Sequence, residues 1–129
     1  MVLLLTAEKT ERGLIFMTPN EYQEACLRTE PTDAKISGTT RLENGLMGLC
    51  GEAGEAMDIL KKFLFQGHSL DKKHLAKELG DVAWYLAVSA DALGYGLEDI
   101  FQMNIDKLKA RYPDGFDADR SINRAEDDI

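Results

Sequence analysis

Cysteine, proline and long apolar runs are all scarce in this chain, and each scarcity removes a class of protein. The only two cysteines are Cys26 and Cys50. Both fall inside helical patterns and read as reduced, small core residues, not as a disulfide framework. Three prolines in 129 residues, with no low-complexity tract, favour regular structure over disorder. No apolar run approaches the length of a membrane span. Met1 to Leu5 is apolar but too short for a signal-peptide core, and Glu8, Lys9, Glu11 and Arg12 follow at once. The expected location is therefore the cytoplasm, without a membrane partner. Cations are few: 15 Lys and Arg against 23 Asp and Glu leave a net charge of −8. A nucleic-acid polymer is not an expected partner, because phosphate backbones need a cationic face. An acidic protein that handles free phosphates needs a metal ion between the like charges. A Gly-Lys-Ser/Thr phosphate loop is missing, and no serine or cysteine has an evident histidine partner for nucleophilic chemistry.

What is present is an ordinary globular mixture, 44% apolar and 29% charged, in a length suited to one domain. Val2-Leu5 and Leu14-Met17 are two short apolar runs around Ala7-Gly13; residues 1–17 are read as an N-terminal arm, either a small hairpin or a loose segment. Thr18, Pro19 and Glu21 form a helix-start signature, with Thr18 as N-cap and Glu21 closing a capping box. This first helix is expected to end near Thr29, before a loop marked by Pro31, Asp33, Ser37 and Gly38.

A second helix is expected from about Arg41 to Phe65. Leu42, Leu46, Leu49, Ala53, Ala56, Met57, Leu60 and Leu64 recur on it at three- and four-residue steps, giving one apolar stripe. Gly45, Gly48, Gly51 and Gly54 recur every third residue, at roughly 1 kcal/mol of lost helix propensity each. Such losses suggest a close approach of another helix or a ligand to the backbone. Gly67 ends this helix and Ser69 is the expected cap of the next, from roughly Leu70 to Leu93. The stretch from Leu79 to Leu93 is apolar on nearly every side, which hints at burial against a second subunit. Gly94 supplies the stop. A fourth helix is expected from about Leu97 to Arg111, with Ile100, Phe101, Ile105 and Leu108 as its core stripe, and residues 114–129 form a polar tail. With no strand-turn-strand series, the fold class is all-α, a four-helix-bundle-like core completed by dimerisation.

Four carboxylates carry the chemistry: Glu52 and Glu55 on the second helix, Glu78 and Asp81 on the third. Each pair is spaced i, i+3, about 60° apart around its helix, so its members share a face. The short connection at Gly67 makes the two helices antiparallel neighbours. Two facing pairs then form a cage of oxygen ligands suited to magnesium, with manganese as the alternative. The competing interpretation is a solvated acidic surface, or salt bridges to Lys61, Lys62 or Lys77. Against the first stand the repulsion of like charges at this spacing and the apolar setting of Asp81. On the fourth helix Asn104, Lys107 and Arg111 make one polar stripe that could hold the outer phosphates of a nucleotide, although such a stripe is more often a solvated face. Lys61 and Lys62 are weaker candidates of the same kind. His74 stands four residues before Glu78, but a surface histidine is the commoner case, for it and for His68.

These residues carry a resemblance. Gly51-Glu-Ala-Gly-Glu55, then Glu78-Leu-Gly-Asp81-Val-Ala-Trp-Tyr-Leu86, then Asn104-Ile-Asp-Lys107-Leu-Lys-Ala-Arg111-Tyr-Pro-Asp-Gly-Phe116 occur in order. The chain resembles the MazG-like nucleoside triphosphate pyrophosphohydrolases, an all-α superfamily that also includes dimeric dUTPases and phosphoribosyl-ATP pyrophosphatases. The resemblance implies one helical domain over residues 1–129 and hydrolysis of a nucleoside triphosphate at the α-phosphorus, with release of pyrophosphate. It implies Glu52, Glu55, Glu78 and Asp81 as magnesium ligands, and Asn104, Lys107 and Arg111 as phosphate contacts. Tyr85 falls where related enzymes line the nucleotide pocket, and a homodimer or homotetramer is implied. One departure matters. Many members carry a further glutamate immediately before the first ligand, where this chain has Gly51, so Glu52 or Glu55 must serve as base if one is needed. Two alternatives stay open: a phosphoribosyl-ATP pyrophosphatase-like enzyme, and a non-catalytic, metal-stabilised helical interaction module.

Overall fold

The computed structural model describes residues 17–31 and 38–128, with side chains after Thr39 in the second stretch. The expectation for residues 1–16 lies outside the described residues. Five helices follow in order: α1 Pro19–Leu27, α2 Gly38–Phe65, α3 Lys72–Ala92, α4 Leu97–Arg111 and a short α5 Ala118–Ile122. No strand occurs among the described residues, so the fold is all-α as the patterning requires.

Helix α1 begins as expected. Thr18 Oγ1 accepts from the Glu21 amide at 3.2 Å, and Glu21 Oε2 accepts from the Thr18 amide at 2.6 Å. At α3 the expectation is corrected: the N-cap is Asp71, not Ser69, and its Oδ1 accepts from the His74 amide at 2.9 Å. A carboxylate there satisfies a free amide and also complements the positive end of the helix. Gly67, at φ +74°, turns the chain out of α2 before that cap. The tail is not irregular throughout, because Asp117 caps α5 through the Arg120 amide at 3.1 Å.

Helices α2 and α3 share the most extensive contact of the fold. Gly45 lies against Ser89, Gly48 against Tyr85, and Glu52 and Glu55 meet Glu78. As the α2 number rises the α3 number falls, so the pair is antiparallel. Two of the four glycines therefore explain themselves as close helix–helix approaches. Gly51 and Gly54 do not, since nothing stands within 4 Å of a β-carbon built on either. The buried core gathers Cys26, Ala87, Val88, Ala90 and Leu97, with Tyr22, Trp84 and Leu86 packed against it.

Gln23 ties three helices to that core. Its Nε2 donates to the carbonyls of Ala87 at 3.1 Å and Tyr95 at 3.0 Å, and its Oε1 accepts from the Leu97 amide at 3.1 Å, at the start of α4. Arg41 of α2 also reaches the C-terminal end of α3, bridging Glu30 and Asp91 at 2.7 Å each.

Within the single chain, burial is less complete than the patterning suggests, and Phe101, Ile105 and Leu108 of the expected α4 core stripe are exposed. Cys50 is exposed while Cys26 is buried. The second half of α3 is not covered on all sides: Ala87 to Ala90 are buried, but Leu79 is 58% exposed and Asp81 lies at the surface. The α2 stripe is only partly covered, for Leu46, Met57 and Leu64 are each at least half exposed. At 100° per residue these three fall within about 20° of one another, about 100° to 180° around the helix from the glycines that face α3.

Candidate metal and phosphate site

Spacing places Glu52 and Glu55 on neighbouring turns of α2, and the antiparallel crossing brings Glu78 of α3 opposite them. One carboxylate oxygen of each lies within 4.8 Å of the others. Glu78 is buried, Glu52 half-buried and Glu55 exposed, so the cluster opens from the helix interface to solvent. His74, one turn before Glu78, brings its Nε2 to 2.8 Å from Glu78 Oε1.

The electrostatics follow from this crowding. Burial, then the charges of Glu55, Asp81 and Glu78, and a hydrogen bond shared with Glu78, hold the Glu52 carboxyl above its ordinary value of 4.5. Asp81 is close enough to act on Glu52, but its oxygens stand outside the three-carboxylate cluster. It also faces Tyr22, whose phenol is pushed up to about 12 by burial, by a hydrogen bond with Cys26 and by the charges of Cys26 and Asp81.

The donor set suits a hard divalent cation. Three carboxylates at this separation repel, and a cation accepting one oxygen from each removes that repulsion and the need for a shared proton.

The remaining candidates are dispersed. Lys61 and Lys62 both close on Asp58 at 2.6 Å, and these two hydrogen bonds draw the Asp58 carboxyl down to about 2. Tyr85 packs over Gly48, with its ring centroid 4.9 Å from that of Trp84, edge to face. Asn104 is exposed on α4. Lys107 and Arg111 line a cavity of about 420 Å³ together with Arg120, Asn123, Asp127 and Asp128. Arg111 is already engaged there: its Nε and Nη2 each donate to one oxygen of Asp128 at 2.6 Å. Sequence spacing did not signal Arg120, Asn123 or Asp128, because they reach α4 only through the turn after Pro113 and the fold of α5.

Over 69 residues, half of this chain, the sequence is 41% identical to the Gene 37 protein of Mycobacterium phage L5 and covers 60% of that relative's length. No solved structure matches the chain. The MazG nucleotide pyrophosphohydrolase domain matches residues 41–116, more than half of the chain, and the matched span holds nearly all of α2 and the whole of α3 and α4. The chain belongs to the MazG nucleotide pyrophosphohydrolase domain family.

Proposed function

We propose that the chain hydrolyses nucleoside or deoxynucleoside triphosphates to the monophosphate and pyrophosphate, with magnesium as its cofactor, as a house-cleaning enzyme of the nucleotide pool. The observation that carries this reading is the convergence of Glu52, Glu55 and Glu78 across the α2–α3 crossing, in a chain of this family. Glu52, Glu55 and Glu78 would hold the cation, with Asp81 beside them as the fourth carboxylate. When bound, the cation supplies charge neutralisation and Lewis acidity at the phosphates.

The chain's own residues supply the rest. Water oxygen bonds to the α-phosphorus, the bond from that phosphorus to the bridging oxygen breaks, and pyrophosphate departs with the electron pair. Glu52 or Glu55 takes the water proton, since Gly51 offers no carboxylate at the preceding position. Asn104, Lys107 and Arg111 on α4 hold the outer phosphates, where two cations offset the leaving group's charge. Tyr85 borders the nucleotide side, and Lys61 is a peripheral cation.

A second copy of the chain completes the core in this reading. Leu46, Met57 and Leu64 on α2, and Phe101, Ile105 and Leu108 on α4, form two exposed apolar stripes of the kind that helix bundles bury by association.

A nucleotide panel with separate detection of pyrophosphate and phosphate, run with and without magnesium, tests the reading. Pyrophosphate release that needs magnesium and is lost in Glu55→Ala and Asp81→Ala supports it. Release of phosphate alone, or full activity in both variants, overturns it. Turnover confined to phosphoribosyl-ATP would move the substrate, not the chemistry. Cation binding without any turnover would leave the non-catalytic module.

A further inference from the structure

The cavity between α4 and the segment that follows it holds more cationic side chains than the proposed phosphate stripe alone. Lys107 and Arg111 come from α4, and Arg120 from α5; Asp127 and Asp128 supply the opposing charges. The Arg111–Asp128 pair is bidentate, and its side chains are only 11% and 13% exposed. A carboxylate on the Nε–Nη2 edge of a guanidinium takes the geometry that a phosphoryl group takes on the same edge. Asp128 thus has the shape and charge of a phosphate surrogate. Its carboxyl lies below the ordinary range, chiefly through the hydrogen bonds from Arg111 and then through the charges of Arg111, Arg124 and Lys107. Those cations already act together on one anion. Residues 117–128, which build this arrangement, lie outside the span that matches the family.

We propose that Asp128 is a built-in competitor for Arg111, and that residues 117–128 form an autoinhibitory strap which a polyphosphate must displace to use that arginine. The inference rests on the reading of Arg111 as a phosphate contact. The occupied edge explains how an exposed helix carries a cation without standing charge: the pair is neutral, yet exchangeable for an anion of higher charge. Once Asp128 is displaced, Lys107, Arg111 and Arg120 face the same cavity and can share the incoming phosphates. A polyphosphate of higher charge gains more from that exchange than a monophosphate does, so the strap would favour triphosphate and pyrophosphate over the monophosphate product.

The test measures binding of inorganic pyrophosphate by calorimetry, without nucleotide, to the full chain and to Asp128→Asn, Asp127→Asn and Arg111→Ala. Removing one largely buried, charge-assisted pair should tighten pyrophosphate binding by about three- to tenfold in Asp128→Asn. Asp127→Asn removes the same formal charge from the same cavity without opening the pair, so it should change the affinity by less than half as much on a logarithmic scale. Arg111→Ala should weaken binding, and adding Asp128→Asn to it should restore little. Unchanged or weaker binding in Asp128→Asn, with thermal unfolding showing the variant folded, overturns the strap and makes Asp128 a positioning partner of Arg111. The readout involves no turnover. A chain that hydrolyses no nucleotide can still show the strap, and an active enzyme can still lack it.

Discussion

The ring of Tyr85 fills the space that a side chain on Gly48 would need: a β-carbon there would stand 2.1 Å from Tyr85 Cε1. This contact sets how closely α2 and α3 approach one turn away from the carboxylate cluster. Replacing Gly48 by alanine should therefore destabilise the fold by about 1–2 kcal/mol, overpacking outweighing the gain in helix propensity. Gly51→Ala, where a β-carbon meets nothing within 4 Å, should instead raise stability by up to about 1 kcal/mol. Urea unfolding of the two variants side by side checks the contrast; equal effects would show that Tyr85 does not seat on Gly48.

Ser89 Oγ is buried with no hydrogen-bond partner among the described residues. Ser89→Ala removes a desolvated hydroxyl while keeping the close approach to Gly45, and should stabilise the protein by about 1 kcal/mol. A lower melting temperature in the alanine variant would mean that the hydroxyl is satisfied.

Gln23 is nearly fully buried and joins α1 to the Ala87 and Tyr95 carbonyls and to the amide that opens α4. Gln23→Leu should cost about 2–4 kcal/mol, because the Tyr95 carbonyl and Leu97 amide lose their partner. Amide exchange should speed up first at the start of α4. Uniform acceleration across α2 and α3 instead would contradict the linking role.

Two carboxyls should titrate in opposite directions, as followed by side-chain carbon NMR on the metal-free protein. Glu52 should titrate above 4.5, its proton affinity raised by burial and by Glu55, Asp81 and Glu78. A raised folded value stabilises the fold at low pH, and the contribution is lost as pH climbs through that raised value. Saturating magnesium should pull the Glu52 titration downward. Asp58, held by Lys61 and Lys62 to about 2, stabilises above its ordinary 3.8 and loses that contribution as pH falls towards 2. Lys61→Ala with Lys62→Ala should return Asp58 to the ordinary range.

Charged substitutions on the uncovered α2 stripe test the second-copy reading. Met57→Lys or Leu64→Lys should turn an associated species into a monomer in sedimentation, while the isolated chain keeps its helical content. A chain that is monomeric before any substitution would remove that part of the reading.

Much of this was visible in the residues. The capping box at Thr18, the extent of α4 and the i, i+3 acidic pairs are local or periodic signals, and local backbone energetics express them directly. The errors share a cause. Ser69 and Asp71 are both competent caps two residues apart, and only the turn at Gly67 decides which one meets a helix. The α2 stripe revealed an apolar face but not how much of it α3 would cover. Gly51 looks like Gly45 in the sequence, yet only Gly45 meets a neighbouring helix.

Composition and periodicity alone decide the helical class, the helix borders to within a few residues, and which acids can share a face, because each of these depends on contacts a few residues apart. The tertiary structure decides that Glu52, Glu55 and Glu78 converge while Asp81 stands aside, that Gln23 is buried among three helices, and that Asp128 reaches Arg111. Those relationships join residues between 17 and 74 positions apart, and only the packing of one helix on another sets their distances.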